Sequence, residues 1–282
     1  MSTSMHTFKD LDPEQVLDIA LHKLQSAGIQ LVEWGGLLHS RMNVPRIVSV
    51  GDSSPLFFSN HSLSERTFFV LQDYPFLVPD EDLQRASILL ENLGLSLRTP
   101  SRVPLAAEGD MKAKGRHHLI SQSATIPGLD QHLVIYPLSF AAFRPCEITE
   151  QAAQYSKVHL CSRILVPQPS AVYASLLRMM RRYPTYSSTR MVLRADVAML
   201  IVYHLMGYTL ETISDEDEED EGRRSEAAAE TIREWGVRKE WGKGRSGWKR
   251  RCLGLCVGLM RHIFLQNVEL PRNVCCVHHY NM

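Results

Sequence analysis

A chain of 282 residues with 44% hydrophobic and 22% charged side chains can bury a sizeable core, which excludes a wholly disordered protein. Lysine plus arginine and aspartate plus glutamate number 31 each, so no global field favours nucleic acid or an anionic membrane, and any electrostatic partner must be met locally. No apolar run reaches the length of a bilayer span and the opening MSTSMHTFKD has no leader pattern, so a cytosolic or nuclear protein without a membrane partner is expected.

The first helix is well punctuated. Asp12 caps it, Pro13 suits its first position, Gln15 stands at the capping-box spacing and Gly28 ends it, while Val16, Leu17, Ala20, Leu21 and Leu24 form its apolar stripe. IQLVEW, residues 29–34, alternates and is rich in branched side chains, which predicts a strand, and GGLLHSRM predicts a short helix after it. DYPFLVPDEDLQRASILLENLGL, Asp73 to Leu95, predicts a buried strand, a proline turn and a helix capped by Asp80. Leu83, Ala86, Leu89, Leu90 and Leu93 would face inward on that helix, and Glu81 and Asp82 would sit in its first turn, where the dipole favours negative charge.

HHLIS and HLVIYPLSF predict two more strands, with His117 and His118 near the surface at the start of the first. Ser170 would cap AVYASLLRMMRRY, and STRMVLRADVAMLIVYHL supplies another long helix. Helix–strand units first and helices last predict an α+β fold, with one domain over 10–165 and helices over 166–212 packing on it. From Asp215, DEDEEDEG repels itself and should be solvated, and RRSEAAAETIREW is helical in pattern. Residues 213–282 are expected to be an acidic linker and a basic, largely disordered tail.

Helix, strand ending in WGG, short helix, VP, and then the Asp73–Leu95 segment together resemble the nucleotidyltransferase fold of the minimal and aminoglycoside type, over about Asp10 to Phe143. The resemblance implies a mixed β-sheet flanked by helices. It also implies a glycine pair near the nucleotide phosphates, an Asp-x-Asp or Asp-x-Glu pair on the next strand, and a third carboxylate from a later strand, the acids together holding magnesium. Gly35, Gly36 and Asp73 match that pattern as vestigial nucleotide-binding positions. Pro75 occupies the place of the second carboxylate, and HLVIYPLSF carries no Asp or Glu.

The expectation is therefore a catalytically degenerate nucleotidyltransferase-like protein acting as a binding or interaction module, with no catalytic residue, metal or cofactor. The alternative is an active transferase using magnesium and ATP on a small-molecule or protein acceptor, with further carboxylates from Asp80, Glu81 or Asp130. Residues 48–72 interrupt the family spacing and are expected to be an inserted loop; joining Ile47 to Asp73 restores it. Val48-Ser49 and Gln72 can be encoded by splice-donor and splice-acceptor sequences, and Val237-Arg238 by another donor, so both segments read as translated introns. Gap-free transcripts across Ile47–Asp73 in every isoform would dispose of that reading.

The tail holds Cys252, Cys256, Cys275, Cys276, His278 and His279, but their spacing lacks the paired knuckles of standard zinc sites. Lys249, Arg250 and Arg251 beside Trp241 and Trp248 have the composition of a nucleic-acid contact, a weaker third reading. Phosphate-loop, dinucleotide-fingerprint and metalloprotease motifs are absent.

Overall fold

The structure, a computed structural model, describes residues 8, 11–45, 73–100, 102–121, 130–154, 160–209 and 218–237. The chain divides into two compact units, Met1–Met42 with Gln72–Leu193, and Asn43–Leu71 with Arg194–Met282. Residues 48–72 and the basic tail from Arg238 lie outside the described residues, as do the tail cysteines and Lys249, Arg250 and Arg251.

The first unit is α+β, as expected from the order of elements. Helix α1 (Pro13–Ser26) carries the anticipated capping box: the Asp12 carboxylate accepts from the Gln15 amide at 3.0 Å, and the Gln15 side chain accepts from the Asp12 amide at 3.1 Å. Strand β1 is only Val32–Glu33, shorter than the alternating pattern suggested, although the Leu31 carbonyl still accepts from the Leu165 amide. Helix α2 (Gly35–Arg41) starts at the glycine pair, and β2 (Asp73–Val78) and α3 (Leu83–Asn92) follow.

Then come β3 (Leu97–Arg98), α4 (Arg102–Glu108), α5 (Asp110–Ala113), β4 (Arg116–Ser121) and β5 (Gln131–Pro137). The unit continues with α6 (Leu138–Ala141), β6 (Ile148–Ala152), β7 (Arg163–Pro167), α7 (Pro169–Met180) and the start of α8 (Ser188–Met199). The seven strands form one mixed sheet in the order β3-β4-β5-β2-β1-β7-β6, in which β2/β5 and β1/β7 are parallel and the other pairs antiparallel.

The parallel pair β2/β5 is interior to the sheet, and its Phe76, Leu77, Leu133 and Ile135 are fully buried, so these strands read as nearly continuous apolar runs. The short edge strands β3 and β6 carry exposed charged residues, Arg98 and Glu150, which suits an edge that must not recruit another strand. Pro75 is tolerated inside β2 because β1 pairs only with Phe76 and Leu77, so no β1 residue needs the amide that proline lacks.

Three local expectations are corrected. Asp80 does not cap α3: a 3-10 turn, Asp80–Asp82, intervenes, and the Asp80 carboxylate accepts from the Ser139 amide at 2.9 Å. Ser170 does not cap α7, which starts one residue earlier at Pro169, the residue type suited to the first helical position. His117 and His118 are buried, at 3% and 0% exposure, because β4 is an inner strand rather than an edge.

In the second unit, the rest of α8 passes into π-helical turns over Leu200–Leu205. Helix α9 (Glu218–Val237) starts within the acidic block, where its positive dipole end favours acids, and buries Ala228, Ile232 and Trp235 at helical spacing. Arg224 donates to the Met206 and Gly207 carbonyls at 3.2 and 3.1 Å and lies 4.9 Å from the centre of the Tyr208 ring. No helix of the described residues is long and apolar enough to cross a membrane.

Candidate functional site

Strand alternation and register assemble the site at the beginning of β2. Asp73 and Pro75 point to the same face of that strand, and Asp73 lies in register with His132 at the start of parallel β5. On antiparallel β4, His117 faces Val134, which places it diagonally from His132 on the same sheet face. The two imidazoles meet edge to face, with ring centres 5.9 Å apart.

Helix α5 supplies Lys112 to the site. Lys112 Nζ donates to Asp73 Oδ2 at 2.5 Å, and His132 Nδ1 lies 2.9 Å from Asp73 Oδ1. His117 Nε2 lies 3.0 Å from the Lys112 carbonyl. A carbonyl can only accept, so Nε2 carries the proton and Nδ1 keeps its lone pair. Glu108, one turn before Lys112, comes within 3.9 Å of the same ammonium.

Gly115 lets this helix lie close, since a Cβ there would stand 2.6 Å from Val134 Cγ1 and 2.9 Å from the Tyr136 ring. The Tyr136 hydroxyl donates to the Met111 carbonyl and so fastens α5 to β5. Burial pushes the Tyr136 hydroxyl far above its usual range.

The electrostatics follow from these contacts. Burial alone would raise the Asp73 pKa, but hydrogen bonding from His132 and the charge and hydrogen bond of Lys112 outweigh it, and the carboxyl is held below its ordinary value. Burial lowers the pKa of His117 and keeps that ring neutral, against the smaller upward pull of its carbonyl partner and of Asp73. Asp73 and His132 remain 18% and 20% exposed, so water and small ions reach them.

Gly35 and Gly36 open α2 beside this strand end. Gly35 has φ +58, and a Cβ on it would stand 2.7 Å from Cγ of Pro75. The glycine turn therefore meets the proline ring where the resemblance implies a second carboxylate. Asp80 and Glu81 follow the far end of β2, roughly 20 Å along the strand direction from Asp73. Asp130 immediately precedes β5 and so lies at the Asp73 end.

Sequence reasoning singled out Asp73, placed His117 at the surface, and passed over His132 and Lys112. His132 was legible in part, as the first residue of the very strand searched for a third ligand, but a search confined to carboxylates passes over an imidazole.

No family model and no curated protein sequence matches the chain. The solution structure of the antibiotic-resistance factor ANT(2'')-Ia is similar over 81% of this chain and 97% of its own, with 11% identity and a TM-score of 0.35. At that identity and score the likeness assigns neither an activity nor a ligand.

Proposed function

We propose that this chain is a nucleotidyltransferase-like protein that has lost magnesium-dependent nucleotide transfer and works as a binding or interaction module. The carrying observation is that both oxygens of Asp73 are engaged by protein groups, Oδ2 by the Lys112 ammonium and Oδ1 by His132. The Lys112 ammonium thus takes the Asp73 oxygen that a magnesium ion would need, with no second acid on β2 or β5 to help displace it. Magnesium prefers oxygen ligands in octahedral geometry, and among the side chains facing Asp73 from β2 and β5 the neighbours are Pro75, His132 and Val134 rather than acids. The Pro75 ring also fills the space in front of Gly35, so the glycine has a packing reason that needs no phosphate.

Calorimetric titration of the full chain with ATP and magnesium is expected to show no saturable, metal-dependent binding. A micromolar site abolished by Asp73→Asn would reverse the reading. The active-transferase alternative draws support from one contact, that of Glu108 with Lys112, because displacing the lysine would leave Asp73 and Glu108 as two acids able to share an ion. Under that alternative the metal-dependent site would appear in the same titration and be lost in Glu108→Gln as well.

A further inference from the structure

We propose that Asp73, His117 and His132 form a binding site for a zinc-class divalent transition ion, with Lys112 as an internal competitor for its carboxylate. Each of the three residues offers one ligand atom, and these atoms lie within 4.8 Å of one another. Ligands on a tetrahedral zinc stand about 3.3 Å apart, so the pair at 2.9 Å is already near that spacing and the widest pair, within 4.8 Å, has at most about 1.5 Å to close.

Two imidazoles and a carboxylate suit zinc or cobalt, whereas magnesium and calcium call for oxygen. The inference thus stands apart from the loss of magnesium chemistry, and either can fail without the other. The ligand atom of His117 in this proposal is Nδ1, because its Nε2–H donates to the Lys112 carbonyl, which sets the tautomer and leaves the Nδ1 lone pair available. That partner is backbone, so replacing the lysine side chain leaves it in place.

His132 and Asp73 exchange their mutual hydrogen bond for the ion. When the ion takes the Nδ1 lone pair of His132, the proton shared with Asp73 leaves Nδ1 through solvent. Lys112 Nζ leaves Asp73 Oδ2, where its charge would otherwise repel the ion, and Glu108 remains within reach to receive it. The partial exposure of Asp73 and His132 leaves an open side for a water molecule, the arrangement of three protein ligands plus one exchangeable position.

The test is titration of the full, chelator-stripped chain with Co²⁺, read by the visible d–d absorption of a tetrahedral ion, with zinc as competitor. One equivalent of cobalt is expected, displaced by zinc and untouched by magnesium. Asp73→Asn and His132→Gln should each weaken binding by roughly a hundredfold or more, since each removes a direct ligand. Lys112→Ala should tighten it by roughly tenfold or more through loss of a neighbouring positive charge. This gain cannot be produced by misfolding.

The tail cysteines are controlled by replacing Cys252, Cys256, Cys275 and Cys276 with serine, which should leave the cobalt bands unchanged. Absence of the bands, their survival in both ligand variants, or their loss with the cysteines would each overturn the proposal. If one ligand variant fails to fold, zinc-dependent elevation of Tm in the parent chain and in Lys112→Ala, larger in the latter, still decides the matter.

Discussion

Glu147→Ala is expected to destabilise the folded chain by about 3 kcal/mol, among the largest effects of any single polar substitution in the first unit. The Glu147 side chain is only 5% exposed and forms a fork with Arg178: Oε2 accepts from Nη1 at 2.9 Å, Oε1 from Nη2, and Oε2 also accepts from the Arg144 amide at 2.9 Å. Removing the carboxylate leaves a guanidinium, 18% exposed, without its counter-charge and the Arg144 amide without an acceptor. That remaining exposure sets the expectation at the low end of the range for broken buried pairs. Arg178 would still donate to the Ala142 carbonyl at 2.6 Å, which limits rearrangement of α7 against α6.

Urea denaturation of the two single variants and of Glu147→Ala/Arg178→Met measures the effect. The double variant should recover a substantial part of the loss, because removal of both charges leaves no unpaired ion in the interior. A loss under about 1 kcal/mol in Glu147→Ala would mean that water reaches Arg178 freely and that the pair does not anchor α7.

The parts of the fold legible in the sequence are those fixed by local chemistry. Asp12, Pro13 and Gln15 specify the start of α1 through contacts within three residues, and the apolar run of β2 reads as a buried strand. Edge strands were missed for the opposite reason. Leu97–Arg98 and Ile148–Ala152 are short and mostly exposed, so they show no apolar alternation, and partner strands hold them in place. Asp80 shows how a cap signal can be overridden: its side chain finds the Ser139 amide, an acceptor–donor match that depends on where β5 ends in space.

The candidate site divides along the same line. Asp73 was visible as an isolated acid at a strand start. The convergence of His117 and His132 on it requires strand order and register, since β4 and β5 come together through an antiparallel ladder and β5 reaches β2 through a parallel one. Lys112 carries still less signal, because its position depends on how closely α5 lies on the sheet, which Gly115 and the Tyr136 hydroxyl decide. Pro75 was legible as a proline in a strand, but its contact with the Gly35 turn was not.

That contact yields the second large effect. Gly35→Ala is expected to lower stability by about 2–3 kcal/mol, the sum of a left-handed backbone conformation that an L side chain resists and a new overlap with Pro75. The backbone part is set by φ +58 at the first residue of α2, and the steric part by a Cβ placed 2.7 Å from Pro75 Cγ. Neither neighbour yields easily: Pro75 is a ring on a strand whose next residues, Phe76 and Leu77, are fully buried, and α2 is held below by buried Leu37 and Leu38. Thermal or urea denaturation of Gly35→Ala, Pro75→Ala and the double variant separates the two parts. The double variant should recover the steric portion, giving a favourable coupling of about 1 kcal/mol, while the backbone portion of about 1–2 kcal/mol remains. Additive losses would mean that the turn relaxes away from β2 and that Gly35 is required by its backbone angle alone. A coupling of the expected sign would tie the glycine to the proline at the position where the resemblance implies a carboxylate, and would give the turn a packing role of its own.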